Sequence, residues 1–390
     1  MTKKEEQIRK RLHNTVMEMK GNIRVYCRIR PMLGRVKNER QSFTFDSNDI
    51  EHKTLTLSMP PSNHHWSGQF IDGKKYKFEF DRVFKGNECQ SEIFTEISEL
   101  VQSALDGYKV CIFAYGQTGA GKTHTMEGSS LNQSDTNRGI IPRAVEQIFK
   151  AKQKLSAQNW TFKCSVSHLE IYNEKIRDLL VPKNRNNFYN FGNEYLHIHQ
   201  RQRGNINSSV SVEGLSRIEV FDPFEVYKLL ALASSNRSVS RTECNERSSR
   251  SHSVFQLFLS GQNRANGQTR FGVLSLIDLA GSERLKKSNV SSASATQLKE
   301  TQNINKSLSC LRAVIAALSM NAKGTKHIPY RNSKLTYLLM DCFGRDSAKT
   351  LMFVNLCPEQ DKCSESLQSL RFADMANKCQ IRNKRTLRRH

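Results

Sequence analysis

Residues 116–123, Gly116-Gln117-Thr118-Gly119-Ala120-Gly121-Lys122-Thr123, constrain this chain more than any other stretch. They follow an unbroken apolar run at 110–115, which has the length of a strand buried on both faces, and they lead into a helical pattern. A glycine-rich turn in that setting frees backbone N–H groups to close around phosphate oxygens, with the positive end of the next helix behind them. The turn fits GxxxxGK[ST] in full. Lys122 is then placed to reach β- and γ-phosphates, and the Thr123 hydroxyl to ligate Mg²⁺. An incidental glycine turn would need neither the buried strand before it nor the helix after it.

A phosphate loop of this type needs an acidic partner at the end of a neighbouring strand. The apolar run 273–277 supplies one in Asp278, placed to hold Mg²⁺ through water, and the Gly281 N–H follows within reach of a γ-phosphate. A lone Asp after a strand is more often a turn or cap residue; the phosphate loop is what lifts Asp278 above that. The polar cluster Asn245-Glu246-Arg247-Ser248-Ser249-Arg250-Ser251-His252 stands directly before another strand. Most such runs are solvated loops. Here its hydroxyls could order Mg²⁺ or water, and Arg250 could pair with Glu283 to close two loops over the phosphate and exclude bulk water.

Along the chain, strand and helix patterns alternate. Residues 23–31 read as an alternating strand ended by Pro31, and 41–80 as a small antiparallel excursion. Residues 91–105, 145–155, 224–233, 298–319 and 333–340 carry helical spacing. Residues 161–171, 210–212, 254–259, 271–277 and 351–356 read as strands. The expected fold is α/β, a central mixed and mostly parallel sheet sandwiched by helices. There is no internal repeat, so residues 23–380 read as one large domain. Before it, Ile8, Leu12, Thr15 and Met19 recur at intervals of four, three and four. Residues 1–22 are therefore read as a neck helix, either the end of a coiled coil that continues upstream or an amphipathic helix docked on the domain; the coiled coil is favoured. Gly21-Asn22 supplies the stop.

Composition removes several classes of function. No stretch approaches the ~18 apolar residues of a membrane span, and the N-terminus lacks the apolar segment of a secretory signal. The ten cysteines form no CxxC pair and read as small core residues. Sixty Lys and Arg against 37 Asp and Glu give a net charge of +23, a field that calls for a large acidic partner. Nucleic acid is one such partner, but the chain has no helix-turn-helix, RRM or zinc-finger signature.

Five segments together carry a resemblance: GQTGAGKTHTM (116–126), NERSSRSH (245–252), DLAGSER (278–284), NINKSLS (303–309) and HIPYRNSKLT (327–336). Over residues 23–377 the chain resembles the kinesin motor domain. It is most similar to the C-terminal-motor, minus-end-directed subfamily, the fourteenth kinesin family, and within it to the mitotic spindle members. The subfamily rests on the neck lying before the core and on the 17 residues left after Arg371-Phe372-Ala373, which lack a plus-end neck linker.

The resemblance implies an ATP hydrolase stimulated by microtubules, with ATP and Mg²⁺ as ligands. It implies tubulin as track, and a homodimer or heterodimer formed through the upstream coiled coil. It implies a place in the cytoplasm on the cytoskeleton and spindle. By motif, Arg28, Arg30 and Pro31 flank the adenine with His124 opposite, Ser249 joins Thr123 at Mg²⁺, and Glu283 relays the proton of the attacking water. Tubulin's acidic tails would face the helix after Asn303 and residues 327–334, including Lys306, Arg331 and Lys334, with Lys323 and Lys326 adding charge nearby. The basic tail at 381–390 is open between a nuclear-localisation patch and a segment packed beside the neck. A motor-like protein that holds microtubules without turnover is the alternative; intact Lys122, Thr123, Arg250, Asp278 and Glu283 argue against it.

Three places depart from the family pattern. Arg312 stands where glycine is common, either adding charge at the track face or altering helix packing. The loop 286–297 is serine-rich. Residues 46–76 hold an elongated segment with His64, His65 and Trp66, whose histidine pair has no nearby Cys or acidic partner to complete a metal site.

Overall fold

The computed structural model describes residues 3–19, 21, 23–32, 42–60, 62–63, 70–71, 73–129, 136–181, 196–201, 209–238, 249–283, 295–320, 327–343 and 348–379. The first element, α1 (Lys3–Met19), stops before Gly21, whose φ of 89° is a left-handed value that glycine adopts without strain. β1 (Ile23–Ile29) enters the central sheet. β2 (Phe43–Thr44), β3 (Thr54–Ser58), the short hairpin of β4 (Ser62–Asn63) and β5 (Phe70–Ile71), and β6 (Lys75–Glu79) form the antiparallel excursion. β7 (Arg82–Phe84) returns beside β1.

α2 (Gln90–Leu105) precedes β8 (Lys109–Tyr115), α3 (Lys122–Met126) and α4 (Ile140–Ser156). The long hairpin arm β9 (Trp160–Tyr172) turns into β10 (Lys175–Asp178), followed by the pair β11 (Ile198–Arg201) and β12 (Ser209–Val212). β13 (Ile218–Val220) and α5 (Pro223–Ser238) lead to the hairpin β14 (His252–Asn263) and β15 (Thr269–Asp278). The chain ends through α6 (Ala295–Met320), α7 (Lys334–Leu338), β16 (Ala348–Leu356) and α8 (Cys363–Asn377).

The central sheet runs β10-β9-β14-β15-β8-β16-β1-β7, with β13 antiparallel on β9. From β15 to β7 every pairing is parallel; from β10 to β15 every pairing is antiparallel. Side chains of a strand alternate between faces, and β8 shows how that feeds two cores. Cys111, Phe113 and Tyr115 pack with α6, α7 and α8, while Val110, Ile112 and Ala114 pack with α2 and α4. Helices therefore cover both faces, and the phosphate loop emerges from the middle of the parallel half.

β1 goes beyond the sequence reading. The sequence reads it only as an alternating strand, and all seven residues are buried, including Arg24 and Arg28 at 2% and 8% exposure. Ile23, Val25, Cys27 and Ile29 pack on one side in a core with α8, and Tyr26 packs on the other with Met17 of α1 and Ile93 and Ile97 of α2, so neither face is open.

α1 docks on the domain, as one reading of the neck expects. One face docks: Arg9 pairs with Asp106 at 2.7 Å, His13 Nε2 lies 3.0 Å from the Ser103 hydroxyl, Lys349 Nζ donates to Asn14 Oδ1 at 3.1 Å, and Met17 is fully buried. The opposite face leaves Ile8, Leu12, Val16 and Met19 exposed in one stripe.

Candidate functional site

The loop after β8 is shaped by its glycines. Gly116 sits with φ 149° against β16, where a Cβ would run into the Asn355 carbonyl. Asn355 braces the loop from below, donating from Nδ2 to Thr125 Oγ1 at 2.7 Å and to the Gly121 carbonyl at 3.4 Å. Lys122 is 7% exposed, and its Nζ donates to the carbonyls of Gly116 and Gln117 at 3.0 Å each. Burial lowers its pKa, against the raising fields of Asp278 and Glu283.

Parallel pairing of β15 with β8 sets Asp278 beside Ala114, so its carboxylate reaches the start of α3. Thr123 Oγ1 donates to Asp278 Oδ2 at 2.6 Å. Asp278 Oδ1 is buried with no hydrogen-bond partner among the described residues. A hydroxyl and a carboxylate with an open buried oxygen are the oxygen donors that suit Mg²⁺, so this pair fits the ion the sequence implies.

Residues 279–283 lie across the loop. Ser282 N donates to the Gly116 carbonyl at 3.1 Å, and Gly281 N to the Ser249 carbonyl at 2.8 Å. The Glu283 carboxylate accepts from the Thr118 backbone N–H at 2.8 Å and from the Thr118 hydroxyl. Glycine at 281 makes room for this contact, since a Cβ there would fall on the Thr118 hydroxyl and both Glu283 oxygens. In this conformation Glu283 is thus bonded to Thr118, whereas the sequence reading paired it with Arg250. The expected grouping of Gly116–Thr123, Asp278, Gly281, Glu283 and Ser249 in one place is met. Asn245–Ser248 lie outside the described residues.

Sequence reasoning missed a buried relay that starts here. His252, at the head of β14, accepts from the Ala280 N–H at Nδ1 (3.0 Å). Its Nε2 must therefore carry the proton, and it meets the Ser307 hydroxyl of α6 at 2.8 Å. Ser307 donates in turn to the Ile304 carbonyl at 2.8 Å. Burial, reinforced by Arg237 and Lys122, lowers the His252 pKa to about 3 and keeps the ring neutral. Both residues lie inside quoted motifs; only the tertiary contact was invisible.

The expected base-binding residues separate. Arg30, Pro31 and His124 retain accessible surface, and Arg30 forms an ion pair with Glu359. Arg28 does not line a surface. Its guanidinium donates to Gln90 Oε1 at 3.0 Å and Thr125 Oγ1 at 2.9 Å, and Gln90 Nε2 donates to the His124 carbonyl at 2.7 Å. Arg28 therefore supports α3 and His124 from beneath, and burial lowers its pKa to about 10.

On the face carrying α6 and α7, Lys306 and Arg331 are exposed, the Arg331 guanidinium 5.6 Å from the Tyr337 ring. The Lys334 N–H donates to Glu174 Oε2 at 2.9 Å. Arg312 turns inward, which decides between the two readings of that departure in favour of packing: its Nη2 donates to the Tyr115 hydroxyl at 2.5 Å. Lys323, Lys326, loop residues 284–294, His64, His65, Trp66 and the tail 380–390 lie outside the described residues. Among the described residues no three His, Cys, Asp or Glu cluster to hold a metal, and no helix is long and apolar enough to cross a membrane.

Comparison with known proteins follows the same outline. A family profile described as "Kinesin motor domain" matches residues 28–379. The chain is similar to "Kinesin-like protein KIN-14D" of Arabidopsis thaliana, 49% identical over 96% of this chain and 46% of that protein. It is similar to "Carboxy-terminal kinesin 2" of Xenopus laevis, 48% identical over 98% of this chain and 56% of that protein. Among solved structures, "C-terminal motor and motor homology domain of Kar3Vik1 fused to a synthetic heterodimeric coiled coil" aligns with TM-score 0.80 at 40% identity, covering 96% of this chain and 89% of that one. The chain spans about half the length of the curated relatives it matches.

Proposed function

The chain belongs to the kinesin motor family, and from that membership we propose that it is an ATP hydrolase stimulated by microtubules, moving toward their minus ends and serving spindle organisation. The observation that carries the reading is the unbroken run of contacts from the phosphate loop, through residues 279–283 and His252, into α6. A site that senses phosphate at one end and a basic helix face at the other has the parts a track-dependent hydrolase requires.

Residues 116–123 would cradle the phosphates, with Lys122 on the β- and γ-oxygens. Thr123, Ser249 and, through water, Asp278 would hold Mg²⁺, which supplies neutralisation of charge on the transferred phosphoryl group. Arg30, Pro31 and His124 would flank the base, with Arg28 holding that surface in place. Glu283 would leave Thr118 to meet Arg250 as the loops close, and there help relay the proton of the attacking water. Such division of labour suits phosphoryl transfer, in which positioning and charge stabilisation dominate. The exposed stripe Ile8, Leu12, Val16 and Met19 supports a dimer, formed with an identical or a different chain.

Surface-attached protein including α1 tests movement and its direction together. Polarity-marked microtubules should glide with plus ends leading. Gliding with plus ends trailing would reverse the direction, and binding without gliding or turnover would leave a passive microtubule holder.

A further inference from the structure

Arg312 reaches away from the exposed face of α6 and into the seam between β8 and α8. Its guanidinium lies 5.9 Å from the Tyr115 ring and 5.5 Å from the Phe372 ring, and those rings pack with centroids 4.7 Å apart. Nη2 donates to the Tyr115 hydroxyl at 2.5 Å. Tyr115 is fully buried and is the residue before Gly116. On the same seam the Ser282 hydroxyl lies 3.5 Å from that of Ser369 on α8, and Ser282 N donates to the Gly116 carbonyl. The Tyr115 hydroxyl thus joins α6 to the root of the phosphate loop, and Ser282 N joins the segment ending in Glu283 to the same root.

A cation lying against two packed aromatic rings and bonded to a buried phenol is a directional contact. It forms only when α6 stands at this distance from β8. It also coexists with Glu283 bonded to the Thr118 N–H, an amide of the loop that a phosphate would otherwise use.

We infer that Arg312 is a positioning residue that ties α6 to the phosphate loop through Tyr115 and favours the conformation in which Glu283 competes for Thr118, thereby speeding release of the nucleoside diphosphate. The inference rests on the nucleotide-binding reading above. It runs parallel to the His252–Ser307 contact but reaches the root of the loop from the opposite side of the 279–283 segment.

The test measures release of a fluorescent ADP analogue from the whole chain, with and without microtubules. The variants are Arg312→Ala, Arg312→Lys, Tyr115→Phe and the Arg312→Ala/Tyr115→Phe pair. Without microtubules, Arg312→Ala and Tyr115→Phe should each slow release about tenfold, as expected for one charge-assisted hydrogen bond. The pair should be no slower than either single change, and Arg312→Lys should recover part of the rate. Unchanged release in the single variants, or effects that multiply in the pair, would overturn the tie. Hydrogen exchange without nucleotide gives a second reading: Arg312→Ala should raise exchange at residues 308–318 and 116–121 together, and a rise confined to α6 counts against the inference. A wild-type chain whose release microtubules fail to accelerate would contradict the track reading while leaving the tie standing on the microtubule-free arms.

Discussion

Acid should weaken this fold through two buried histidines, and the size can be worked from the structure. His252 is buried and accepts from the Ala280 N–H at Nδ1, and His168 lies buried with Nε2 2.8 Å from the Ser253 hydroxyl; both have pKa values lowered to about 3, first by burial. An unfolded histidine titrates near 6.5. A group with a depressed folded pKa binds its proton in the unfolded chain first, so stability is present above pH 6.5 and is lost as pH falls through the window from 6.5 toward 3. Between pH 8 and pH 5 linkage gives about 2 kcal/mol per histidine, or about 4 kcal/mol for both. That is a large share of a typical stability of ~5–15 kcal/mol. The buried carboxyls Asp81 and Glu127, raised by burial, act with the opposite sign. The assay therefore compares urea unfolding of the wild type with a His168→Gln/His252→Asn chain at both pH values, so that shared groups cancel. The wild type should lose about 4 kcal/mol more than the variant on acidification. Equal losses, or folded-state histidine signals titrating between pH 6 and 7 at these two sites, would refute the reasoning.

Three further outcomes follow from single contacts. Met17→Ala should loosen α1 by about 2–4 kcal/mol, because it empties a fully buried site beneath the helix; exchange of α1 amides should rise while the central sheet keeps its protection. Gly281→Ala should push the Glu283 and Thr118 side chains apart and so free the Thr118 N–H for phosphate, slowing release of a fluorescent ADP analogue several-fold; release at the wild-type rate would count against the contact. Raising ionic strength should weaken microtubule affinity and leave the rate at saturating microtubules nearly constant, since exposed lysines and arginines such as Lys306 and Arg331 act through screened attraction.

Much of the site was legible because its chemistry is local. The glycines, Lys122 and Thr123 are fixed by one turn, and Asp278 by the strand before it. Helix and strand periods likewise announced α2, β8, α6 and β16. What escaped depends on residues far apart in the chain. The seven-residue burial of β1 follows from helices on both sides of it, since an Arg at positions 24 and 28 reads as outward-facing until partners such as Gln90 and Thr125 are known. The His252–Ser307 contact spans 55 positions, the Glu283–Thr118 contact 165 and the Arg312–Tyr115 contact 197. No local pattern encodes such pairings. The neck was ambiguous for a different reason: α1 has a docking face and an outward apolar stripe, and a helical period records both at once.

Steady-state ATP hydrolysis, with and without polymerised tubulin, beside a Glu283→Ala control, tests the central claim most directly. The account predicts strong, salt-sensitive stimulation by microtubules in the wild type and its loss in Glu283→Ala. Tight microtubule binding with no stimulated turnover in the wild type, or stimulation that survives Glu283→Ala, would contradict it.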